Sequence, residues 1–137
     1  MDINEFENID EIKNAGLKAA ADVCNGYMLM AMQSRKLKES RKECLLNLLA
    51  TRAFATALTD NSEIISKIDK NIQYYKDEIE GYDYIIKGCE KLVAAIQNLT
   101  DEATKSFDND KESLEQFFDE MKHKNEETGE EDSESGK

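Results

Sequence analysis

The chain reads as an all-α protein: a long antiparallel helical hairpin elaborated into a three- or four-helix bundle with a coiled-coil seam, followed by a disordered acidic tail. Three observations predict this. Its 137 residues contain no proline, with 35% charged and 39% apolar residues, a balance that suits helices better than the turns of a sheet protein. From Ile65 to Ile96 the residues Ile65, Ile68, Ile72, Tyr75, Ile79, Tyr82, Ile86, Cys89, Val93 and Ile96 recur at gaps of three and four without a failure, which is the apolar spacing of a helix seam. The cluster Thr59-Asp60-Asn61-Ser62-Glu63 interrupts the helical pattern just before that seam, where a tight connection would join two antiparallel helices.

Taken in order, residues 1–8 are acidic with isolated Ile3 and Phe6, either a frayed lead-in or a small anchor. Helix is expected from Ile9, with Asp10 as its cap and Ile9, Ile12, Gly16, Ala19 and Val23 on one face beside Ala15 and Ala20. So small a face lets a neighbouring backbone come close. The run Tyr27–Met32 has no polar residue, so in a helix it is apolar on nearly every side. A buried core turn is the plainer reading of it; Met28, Met30 and Met32 as an adaptable surface for a partner is the functional one.

Between Ser34 and Glu43 the only large apolar residue is Leu37, and this stretch fits either one helix continuing through it or two helices joined near it. Arg35, Lys36, Lys38, Arg41 and Lys42 make it the one concentration of positive charge. A phosphate-binding patch needs such a cluster, but Glu39 and Glu43 are interleaved and no aromatic platform accompanies it. The patch therefore reads as an exposed helix face, approached by the acidic tail. Asp60 followed three residues later by Glu63 has the form of a capping box opening the second helix.

The second helix is expected over Ser62–Leu99. In its later half Ile85, Leu92 and Leu99 flank the seam on one side, with Gly81, Gly88 and Ala95 just beyond them, so the apolar arc is too wide for one neighbour. Each mid-helix glycine costs about 1 kcal/mol relative to alanine, which asks for a close helix contact or a shallow groove at Gly81 and Gly88. A loosening is expected between Thr100 and Asp110. Leu114, Phe117, Phe118 and Met121 then describe a short amphipathic helix, either docked on its own chain or offered to a partner. Residues 1–123 form the helical domain on this reading. Residues 124–137 lack any large apolar residue and are expected to be disordered.

Of the net charge of −12, residues 100–137 contribute −9, from fourteen acids and five bases, leaving the helical body near neutral. Three cysteines without paired spacing argue against a disulfide framework and for a reducing, cytoplasmic setting. No apolar run approaches the length of a membrane span, and the acidic N-terminus does not resemble a targeting segment. His123 stands alone, so neither a metal site nor a Ser/His or Cys/His nucleophile pair assembles, and the six glycines are scattered rather than grouped in a phosphate loop.

These features point to a non-enzymatic helical protein-binding module without cofactors: an adaptor, assembly factor or inhibitor with a protein partner, self-associating as a dimer. Its candidate interface comprises Gly81, Tyr82, Ile85, Ile86, Gly88 and Leu92, with Met28, Met30, Met32, Phe117 and Phe118. Two alternatives stand beside it, an acidic mimic occupying the channel of a nucleic-acid-binding protein and a small-ligand-sequestering bundle. Nucleic acid itself is not the expected ligand.

Overall fold

The computed structural model of the chain describes the backbone of residues 2–135 and the side chains of residues 2–127. Among these the fold is all-α. A short 3-10 turn, Ile3–Glu5, precedes three helices, α1 (Ile9–Leu58), α2 (Ser62–Asn109) and α3 (Lys111–Ser135).

The basic segment does not divide α1, which runs unbroken for 50 residues. Its start is capped by Asn8, two residues before the Asp10 read from the sequence. Asn8 Oδ1 accepts the Glu11 N–H at 3.0 Å, and the Glu11 carboxylate accepts the Glu7 N–H at 2.8 Å. Two of the amides that a helix start leaves unpaired, or its flanking chain exposes, are thereby satisfied.

The connection falls where expected, at residues 59–61, but its cap is shifted by one residue. Asn61, not Asp60, stands immediately before α2. Its Oδ1 accepts the Glu63 N–H at 3.1 Å, while Thr59 Oγ1 accepts the Asn61 N–H at 3.1 Å. A side-chain oxygen at that position reaches the second helical amide, which an oxygen one residue earlier does not.

The second helix extends ten residues beyond Leu99 to Asn109, and the loosening narrows to the single turn residue Asp110. The Asp110 N–H still donates to Ser106 O at 3.0 Å, and Asp110 O accepts the Leu114 N–H at 3.0 Å. α3 continues past the boundary expected at residue 123 through the described residues 124–127. The remainder of the expected acidic tail, residues 128–137, lies outside the described side chains.

Contacts divide the chain into two compact units, Cys24–Ala94 and the pair of segments Met1–Val23 and Ala95–Lys137. In the first unit, α1 and α2 are joined by the ion pairs Arg35–Glu90, Lys38–Asp83, Arg41–Glu78 and Arg52–Asp69. The residue numbers of each pair add to between 119 and 125, so the helices are antiparallel in one register along the hairpin. Every seam residue of α2 in this unit is buried or half-buried, and Ile72, Ile86 and Cys89 are the most enclosed.

The matching stripe on α1 is Cys24, Tyr27, Ala31, Ser34, Lys38, Arg41, Leu45, Leu48, Arg52 and Ala55, again at gaps of three and four and with no exposed member. Small residues occupy its best-covered positions, Ala31 at 3% exposure and Ser34 at 5%. Its three cations lay their aliphatic stems along the seam and reach acids on α2, an arrangement that keeps the charge paired while the stem covers apolar surface. Arg35, Lys38 and Arg41 of the basic segment are thus paired with acids of α2; the approach of the acidic tail read from the sequence falls largely on side chains outside those described.

The second unit combines the first turns of α1, the last turns of α2, and α3. Ile9 and Phe118 are buried here. Of the small face read from the sequence, Ile9 and Ile12 are covered while Gly16, Ala19 and Val23 face outward. The covered stripe runs instead through Lys13, Leu17 and Ala20, because Lys13 pairs with Asp108 at 3.0 Å and lies 5.3 Å above the Phe107 ring. Such a position suits a cation with an apolar stem.

Lys111 pairs with Asp10 at 3.4 Å. The N-terminal segment is an anchor: its 3-10 turn, capped by Asp2, packs against α3, with Ile3 and Phe6 half-buried.

Candidate functional site

The most distinctive surface belongs to the hairpin unit and follows from its register. The residues just outside the seam on one side of α1 include Met30, Leu37 and Cys44; on α2 they include Glu78, Ile85 and Leu92. Cys44, Asn47 and Leu48 line one surface pocket with Asn71, Tyr74 and Tyr75, which puts these flanks of both helices on the same side of the hairpin. The antiparallel register then sets Met30 level with Leu92 and Leu37 level with Ile85.

These four side chains are between 42% and 48% exposed. Beside them lie Gly26, Gln33 and Ser40 on α1 and Gly81 and Gly88 on α2. From Gly26 to Ser40 and from Gly81 to Leu92, therefore, this side of the hairpin presents no charged residue.

The strip ends at Glu78, whose Oε2 lies 2.8 Å from Arg41 Nε. That contact is an ion pair lacking hydrogen-bond geometry. Glu78 also holds the Tyr74 phenol above its ordinary value, through a hydrogen bond first and its charge second. The guanidinium of Arg41 is likewise raised, chiefly by the Glu78 charge.

The opposite side of the hairpin carries paired charge. Arg35–Glu90, Lys38–Asp83 and Arg52–Asp69 lie there. The hydrogen bond from Lys38 holds the Asp83 carboxyl below its ordinary value against a smaller opposing effect of burial. Lys42 pairs with Glu39 on its own helix at 3.3 Å. Three of the five basic-patch residues, Arg35, Lys38 and Arg41, are thus engaged by acids of α2, so the cluster works chiefly as cross-hairpin pairing.

The interface residues read from the sequence separate into distinct groups. Ile86 is buried at 8% exposure and Phe118 at 4%, while Tyr82 is half-buried, so these three hold the fold together. Ile85, Leu92 and Met30 lie on the uncharged strip. Met28 and Met32 are also largely exposed, but two residues on a helix is a turn of about 200°, so neither shares Met30's face. Of the six residues of this apolar run, Met28, Leu29, Met30 and Met32 are exposed, and the buried-core reading holds only for Tyr27 and Ala31.

Phe117, at 60% exposure, belongs to the other unit. A Cβ built on Gly81 or Gly88 meets nothing within 4 Å, so among the described residues no neighbouring helix comes close to them and the close-contact explanation does not apply there.

Leu37 and Gln33 were not singled out by sequence reasoning. Their signal is positional: each flanks an α1 seam that becomes visible only when Ser34, Lys38 and Arg41 are admitted as seam residues.

All three cysteines are free, with Cys24 and Cys89 buried. His123 lies 3.2 Å from Glu127 on an exposed turn of α3. Among the described residues no group of three or more His, Cys, Asp or Glu could hold a metal ion, and no helix is long and apolar enough to cross a membrane. Protein-family models, curated proteins and solved structures yield no match to the chain.

Proposed function

We propose that the chain is a non-enzymatic helical protein-binding module, an adaptor, assembly factor or inhibitor that engages a protein through the uncharged strip of its hairpin and self-associates. One observation carries this reading: four large apolar side chains, set level in pairs by the register, are exposed on a side of the hairpin that presents no charged residue from Gly26 to Ser40 and from Gly81 to Leu92. Leu37, Ile85, Met30 and Leu92 are left in water beside two glycines, while Arg35 and Lys38 of the basic segment are paired with Glu90 and Asp83 on the far side. Contiguous exposed apolar surface of this kind marks association sites, and a helical partner lying along it would remove that surface from water.

Leu37→Asp and Ile85→Asp test the proposal, because both positions are substantially exposed and tolerate a charge without disturbing the seam. Affinity capture from the native host, run with each variant beside the wild type, is expected to lose the bound protein while circular dichroism shows unchanged helicity. His123→Ala is expected to leave capture unaltered. Capture that survives both aspartate substitutions would remove the strip from the function.

A further inference from the structure

We infer that the occupant of the uncharged strip is a second copy of this chain, packed face to face about a two-fold axis that passes at the level of Gln33 and Gly88. The inference rests on the protein-binding reading and names the partner for that surface.

The pattern of the strip is self-complementary. Gln33 and Gly88 occupy equivalent positions on α1 and α2, and the register places them level with each other. Each is bracketed in the same way by large apolar residues: Met30 and Leu37 lie three before and four after Gln33, and Ile85 and Leu92 lie three before and four after Gly88. A two-fold axis across the hairpin at this level turns each helix antiparallel to its own copy. Met30 then meets the copy of Leu37, and Ile85 meets the copy of Leu92. An isologous interface requires such matching of a surface with itself.

The two residues at the centre suit that axis for different reasons. Gly88 has no side chain and meets nothing within 4 Å, so the two α2 backbones can approach there. Gln33 is an exposed amide with both donor and acceptor atoms, and a primary amide can exchange two hydrogen bonds with its symmetry copy. A carboxylate or ammonium at that point would face its own charge, and neither is present.

The area is of the right order. At 42% to 48% exposure, each of the four apolar side chains leaves about 80 Å² in water. They supply about 300 Å² per copy toward the roughly 800 Å² per partner of a stable interface, and the glycines, Gln33, Ser40 and neighbouring backbone contribute to the rest.

The experiment is sedimentation equilibrium on the full chain, with charge swaps at the axis. The wild type is expected to be a dimer at micromolar concentration. Gln33→Glu and Gln33→Lys, each placing like charges across the axis, are expected to weaken the dimer at least tenfold at low salt and neutral pH. Their equimolar mixture is expected to restore a one-to-one dimer.

Leu37→Asp is expected to be monomeric with unchanged helicity. A monomeric wild type that still loses a captured protein on Leu37→Asp would overturn the two-fold dimer and leave the protein-binding reading standing. A dimer indifferent to all three substitutions would overturn the strip as the surface of self-association. A dimer that Leu37→Asp dissociates but both Gln33 variants leave intact would overturn the axis proposed here.

Discussion

The mid-helix glycines of α2 give the most direct test of how the hairpin unit is built. Gly81→Ala and Gly88→Ala each add a Cβ that meets no atom within 4 Å, at positions deep inside a 48-residue helix. No steric cost opposes the substitution, and the gain is the difference in helix propensity, about 1 kcal/mol each. Seven residues separate the sites along the helix, about 10.5 Å, far enough for the effects to add to about 2 kcal/mol.

The measurement is urea denaturation in a Leu37→Asp background, where the strip is kept free of a second copy. The midpoint should rise for each single variant and roughly twice as far for the double, with the denaturant slope unchanged. In the wild-type background Gly88→Ala should gain less than Gly81→Ala, because an added methyl at the two-fold level holds the backbones apart. Loss of stability in the Leu37→Asp background would refute the open placement of these glycines, since it would mean that something within the chain already fills the space.

Asn61→Ala should cost about 1 kcal/mol by removing the cap of α2, and Asp60→Ala less than half of that, a contrast that chemical denaturation resolves. Ile86→Ala, in the seam, should cost about 2–5 kcal/mol, whereas Ile85→Ala, on the exposed strip, should change monomer stability by about 1 kcal/mol or less. The Lys38 hydrogen bond lowers the Asp83 carboxyl from its ordinary 3.8. Its stabilising contribution is therefore present above pH 3.8 and lost as the pH falls through the folded-state value. Lys38→Met should bring the Asp83 titration, followed by carboxyl carbon NMR, back toward 3.8, and its stability deficit relative to the wild type should shrink in acid.

The two long helices were not equally legible in the sequence, and the difference has a physical cause. On α2 the seam consists of Ile, Tyr, Val and one Cys, so counting apolar residues finds it, and none of its ten members is exposed. On α1 the seam passes through Ser34, Lys38, Arg41 and Arg52, which the same count discards. A lysine or arginine serves as a seam residue when its stem can lie along the contact and its head can reach an acid. That condition belongs to the pair and not to the residue: Lys38 qualifies because Asp83 is level with it, and Arg52 because Asp69 is.

The arc at Ile85, Leu92, Gly81 and Gly88 was visible as too wide for one neighbour. Which of its residues stay uncovered depends on where α1 lies, and hence on the same pairing. Had the α1 seam been drawn through its cations, Leu37 and Met30 would have fallen beside it opposite Ile85 and Leu92. The basic segment, read from the sequence as an exposed helix face, is what sets the register of the hairpin. Arg35 and Lys38 direct their charge to Glu90 and Asp83 on one side and Arg41 meets Glu78 at the end of the other, so the strip between Gly26 and Ser40 stays uncharged, and that neutrality is what suits it to the proposed association.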